Sequence, residues 1–122
     1  MSAPQMVCHL IDAFHMMAGD KPVSDVSTAF SRTVIKCIAL YAPWRWPRGI
    51  QTVPEVDQES GGRKPIGFAA DLAEAAALLA GAANNTAGLD GRTHPIFGPM
   101  SEAAWMRWAY LHTDHHLRQF GL

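Results

Sequence analysis

The sequence predicts an all-α protein, folded as a single helical domain over residues 1–122. Four segments repeat their apolar residues at helical spacing, and Gly, Pro or Asn close each of them. No pair of segments alternates apolar and polar residues as paired strands would. The length of 122 residues and a hydrophobic share of 48% suit one packed domain and exclude a disordered chain.

The first helix is expected over 5–17, QMVCHLIDAFHMM. Met6, Leu10, Phe14 and Met17 recur on one face, and Gly19 and Pro22 end the run. The second is expected over 27–42, from a Ser27 cap to Pro43, although the β-branched Val34 and Ile35 weaken its helical propensity. Residues 43–66 are rich in Pro and Gly and keep no apolar period. They are expected to form a long loop, functional or mobile, with Trp44 and Trp46 anchoring its first part. The third helix, 67–82, is rich in Ala, with Phe68, Leu72, Ala75 and Leu79 as its expected buried stripe. On this pattern Asp71 and Glu74 fall on a solvated face. A turn-rich stretch containing THPIFGPM leads to the last helix, Ser101 to about Phe120. Ser101 serves as N-cap, Glu102 sits at the positive end of the dipole, and Gly121 is the stop.

Net charge is −1 with His neutral, and the basic residues are scattered, so no nucleic-acid-binding stripe is predicted. The longest apolar stretch, Val34 to Trp44, is broken by Lys36 and Pro43 and is too short for a bilayer, which needs about 20 residues. No membrane partner and no signal peptide are expected, and a cytoplasmic location follows. Cys8 and Cys37 match no zinc-ribbon or redox spacing; buried, reduced thiols are expected, with one disulfide between them as the alternative.

Three of the six histidines fall at 112, 115 and 116. Residues four apart lie one turn above each other on a helix, so His112 and His116 can aim their rings at one point. This is the geometry in which a His-x-x-x-His pair grips zinc. It also fits a plain polar face near a helix C-terminus, where His⁺ is favoured. His115 is turned about 100° from His116 and is the weaker ligand candidate. A metal centre needs a third protein ligand, for which the sequence offers His9, His15 and His94. Asp12 shares a face with His9 and is placed to orient it or to touch the metal through water, and Gln119 is a candidate donor beside the histidine pair. His15 also reads as an ordinary half-exposed position, and His94, before Pro95, as packing of its turn. Trp105 and Trp108 read as core.

The segment YLHTDHHLRQFG (110–121) resembles the final-helix motif of the DinB-like (YfiT-like) superfamily, in which His, three residues and His are followed by Gln. QMVCHLIDAF, TVPEVDQESGG, FAADLAE and HPIFGPMSEAAWMRWAYLH are similar to an uncharacterised bacterial branch of it, a domain of unknown function, so the resemblance covers nearly the whole chain. It implies an up-and-down four-helix bundle and a divalent metal, zinc or nickel, held by three histidines, here His9, His112 and His116. Relatives with known reactions include transferases and isomerases that use low-molecular-weight thiols. The resemblance therefore implies a metal-dependent enzyme, a transferase or hydrolase acting on a small molecule, with such a thiol as partner. The alternative is a metal-binding or oligomeric structural bundle without turnover. The family has a helix before QMVCHL, whereas this chain starts five residues before that motif. The usual first helix is thus expected to be absent, leaving Met6, Leu10, Phe14 and Met17 exposed, together with parts of the Ala-rich helix. A homodimer with an apolar interface near the N-terminal helix would cover them.

Overall fold

The computed structural model describes residues 1–122. It is mostly helical, with four α-helices and one minimal hairpin. The chain forms two compact units, one from Met1–Val23 with Thr52–Thr86, the other from Ser24–Gln51 with Ala87–Leu122.

In the first unit, helix α1 runs Ala3–Ala18. A reciprocal cap starts it: Gln5 N–H donates to Ser2 Oγ (3.3 Å) and Ser2 N–H to Gln5 Oε1 (2.7 Å). Gly19 ends it in the left-handed region at φ 84°. Helix α3 (Phe68–Asn84) packs on α1, and a single 3₁₀ turn at Pro54–Val56 also touches α1.

Two expectations about these helices are corrected. Met6, Leu10, Phe14 and Met17 are buried, together with every residue from Met6 to Phe14. The segment is apolar nearly all round, and a helix of that kind is covered on all sides. On α3 the expected stripe is turned outward: Phe68, Leu72 and Leu79 are exposed, and Ala75 is buried beside Asp71. Asp71, expected in solvent, is 1% exposed. Its carboxylate accepts from Arg63 Nη2 (2.9 Å) and from the amides of Ile66 (3.1 Å) and Gly67 (3.2 Å). These three partners set which face of α3 turns inward, and the small Ala75 on that face permits close approach to α1.

In the second unit, helix α2 spans Lys36–Tyr41, preceded by a π-helical turn at Ser31–Ile35. The segment expected as one α-helix is thus wound wide in its middle, with Lys36 N–H reaching back five residues to the Ser31 carbonyl. Thr33 Oγ1 donates to the Ala29 carbonyl (2.7 Å) in the same stretch. Strands β1 (Thr93–His94) and β2 (Gly98–Pro99) pair antiparallel, Thr93 with Pro99 and His94 with Gly98. Two residues each are too few to show a period in the sequence. Helix α4 runs Glu102–Gln119, capped as expected by Ser101 Oγ, which accepts from Ala104 N–H (3.1 Å). Trp105 and Trp108 are buried core residues, edge to face at 5.4 Å. No helix is long and apolar enough to cross a membrane.

Candidate metal centre

His9, His112 and His116 each bring one ring nitrogen into a cluster whose atoms all lie within 4.8 Å of one another. His9 and His116 are buried and His112 is half-buried. Each of the three side chains offers one ligand atom of the kind zinc takes.

The hydrogen bonds around two of these rings suit that role. His9 Nδ1–H donates to the Val56 carbonyl at 2.7 Å. His116 Nδ1–H donates to Gln119 Oε1 at 3.1 Å. Each bond places the proton on Nδ1 and the lone pair on Nε2, the arrangement that fixes a metal-ligating histidine. Burial lowers the His9 pKa, outweighing the Val56 bond and the nearby Asp12 charge that raise it. The ring therefore stays neutral, as a ligand must be.

Gln119 serves a second ring: its Nε2–H donates to His115 Nε2 at 3.0 Å. One amide thus contacts two neighbouring imidazoles, accepting from His116 and donating to His115. His115 lies outside the cluster. The His112 ring stacks on Trp108 (centroids 4.7 Å, planes 20° apart) and meets Trp46 edge-on at 6.3 Å. Trp46 is held by its indole N–H on the Ala39 carbonyl (2.7 Å), so it anchors its part of the loop. Trp44, expected to do the same, is 73% exposed and does not.

Asp12 is buried on α1. Its carboxylate accepts from Gln58 Nε2 (2.9 Å), the Arg63 amide (2.8 Å) and Lys21 Nζ (2.7 Å). It thereby fastens residues 52–66 as a strap, and reaches His9 through charge and through Gln58, which hydrogen-bonds His9. Arg63 ties the same strap to α3, bonding Asp71 and Glu74. The Val56 carbonyl and the Gln58 amide are the functional groups that the sequence reading missed. The only sequence signal for them is the motif TVPEVDQESGG, since a backbone carbonyl has no residue signature.

The other histidines have structural roles. His94 Nδ1 accepts the amides of Ile96 (3.1 Å) and Phe97 (3.2 Å), so it packs its turn as expected. Burial among Phe97, Trp105 and Trp108 pushes its pKa down to about 3. His15 is half-buried, between Asp20 (3.7 Å) and Glu74 (3.6 Å). Both cysteines are free thiols. Cys8 is buried, and burial above all raises its pKa, with Asp71 adding to the effect. Cys37, expected to be buried, is exposed. In comparisons with known proteins the chain matches no family model, no curated protein and no solved structure.

Proposed function

We propose that this chain is a divalent-metal-binding protein of the DinB-like type, with His9, His112 and His116 as ligands of zinc or nickel. The convergence of three histidine nitrogens carries the reading. The Val56 and Gln119 acceptors, which fix two of the rings in the ligating tautomer, support it. Three protein ligands leave one position of a tetrahedral centre for a small molecule, the pattern of catalytic sites. The bound ion would supply Lewis acidity, lowering the pKa of a thiol or water placed there.

On this reading the protein is a metal-dependent transferase or hydrolase of small molecules, with a low-molecular-weight thiol as the natural co-substrate. His9 and His116 are ligands held rigid by their acceptors, and Trp46 and Trp108 wall the His112 ring from water. The two free thiols, Cys8 and Cys37, support a reducing, cytoplasmic setting. The test is elemental analysis of protein purified without an affinity tag, followed by thiol-transfer assays on the metal-loaded form. One equivalent of zinc or nickel, lost in His9→Ala, His112→Ala and His116→Ala, is the expected result. Metal-loaded protein without thiol-transfer or hydrolytic turnover would leave a metal-binding bundle in place of an enzyme.

A further inference from the structure

The Val56 carbonyl that holds His9 belongs to the strap, within the first compact unit. The strap is braced by its own bonds. The Gly61 amide donates to the Pro54 carbonyl (2.9 Å), and the amides of Ser60 (3.0 Å) and Gly62 (2.7 Å) both donate to the Asp57 carbonyl. Lys64 Nζ donates to the carbonyls of Gln58 and Ser60. Gly62 lies so close to Asp57 that an added Cβ would stand 2.7 Å from its backbone. With so many internal bonds, residues 54–64 move as one piece, and whatever holds Arg63 also places Val56.

Arg63 is held on two sides. Its amide donates to Asp12 Oδ2 on α1 (2.8 Å). Its guanidinium bonds Asp71 Oδ1 (2.9 Å) and Glu74 Oε2 (2.8 Å) on α3. A planar guanidinium can span two carboxylates in fixed geometry, which a point charge cannot. Asp71 is buried, so solvent screens its bond to Arg63 less than it screens a surface ion pair.

We propose that Arg63 is a positioning residue for His9: by fixing the strap to α1 and α3, it keeps the Val56 carbonyl where it holds the His9 proton on Nδ1 and leaves Nε2 to ligate. This rests on the reading of His9 as a metal ligand. When the strap shifts, the ring loses its acceptor, and the proton is then shared with Nε2, which blocks ligation. A partner directly behind a ligating histidine contributes about 10- to 100-fold to metal affinity, and a residue one step further back belongs near the lower end, about tenfold.

Two readouts test this. Nitrogen–proton correlation spectra of the imidazole rings, taken on metal-free protein at about pH 8, where histidine is ordinarily neutral, report which nitrogen of His9 carries the proton. Competition titration gives the zinc affinity. The parent is expected to hold His9 in the Nδ1–H form alone. Arg63→Ala mixes the two tautomers and weakens zinc about tenfold, in line with the loss of a supporting partner. Arg63→Lys falls between the two. Glu74→Gln, which keeps the buried Asp71 contact, shifts both readouts less and decides the matter if Arg63→Ala does not fold. Gln5→Ala loosens the cap of α1 without touching the strap and keeps the parent tautomer. Folded Arg63→Ala and Glu74→Gln with the parent tautomer and parent zinc affinity would overturn the inference while leaving the metal site standing. A Gln5→Ala variant that mixes the tautomers as much as Arg63→Ala would also overturn it, since general loosening would then suffice. If the parent binds no zinc, the metal reading fails, and the tautomer comparison alone decides the part played by Arg63.

Discussion

Replacing Gln119 by alanine isolates the orientation of the histidine pair from its presence. In the parent, one amide accepts from His116 Nδ1 at 3.1 Å and donates to His115 Nε2 at 3.0 Å. Without it, the His116 ring loses its tautomer lock and turns about χ2, although the nitrogen proposed to ligate is still there. Partners of this kind contribute about 10- to 100-fold to metal affinity, or about 1.4–2.7 kcal/mol. The cost to the metal-free fold is small. Gln119 is half-buried in the last turn of α4, where water replaces its hydrogen bonds, and the expected loss is within about 1 kcal/mol. Gln119→Glu separates the two contacts, since a carboxylate accepts from His116 but cannot donate to His115. Competition titration against a chromophoric chelator is the assay, with urea unfolding of the metal-free variants alongside. The expected order is parent and Gln119→Glu together, Gln119→Ala weaker by one to two decades. An alanine variant within twofold of the parent would refute the role assigned to this amide.

Further outcomes follow from the same geometry. His112→Ala and His116→Ala are each expected to lose stoichiometric divalent metal while His15→Ala keeps it; equal retention in all three by elemental analysis would remove the site. His94 makes the fold acid-sensitive. Its folded pKa of about 3 lies below the ordinary 6.5, so the unfolded chain binds the extra proton, and this stability is present above pH 6.5 and lost as pH falls. Between pH 6.5 and 4.5 the loss is about 2–3 kcal/mol, with lowered His9 adding in the same direction. His94→Asn, which retains an acceptor for the two amides, should flatten the urea-midpoint profile over that range, and an unchanged profile would count against the assignment. A Cβ on Gly62 would stand 2.7 Å from the Asp57 backbone and 2.6 Å from Gln58 Nε2, so Gly62→Ala should cost about 1–3 kcal/mol by displacing the strap. A Cβ on Gly81 in α3 meets nothing within 4 Å, and Gly81→Ala should instead stabilise by roughly 0.5–1 kcal/mol in thermal unfolding.

The sequence by itself determined where the helices start and stop, because those signals are local. Ser2, Ser101, Gly19 and Gly121 act through backbone groups a few residues away, and α1, α3 and α4 lie where propensity and caps place them. The His112/His116 pair was legible for the same reason, since a four-residue spacing fixes proximity on any helix. The third histidine was one of three candidates, His9, His15 and His94, and the family resemblance singled out His9, because periodicity carries no information about residues a hundred positions apart. Tertiary structure alone decided which face of α3 is buried. Hydrophobicity favoured Phe68, Leu72 and Leu79, but the bonds from Arg63, Ile66 and Gly67 to Asp71 prevailed, since a carboxylate with that many partners is stable inside. It also decided the tautomer of His9, which rests on a carbonyl 47 residues away, in a strap that no repeat, period or charge pattern announces.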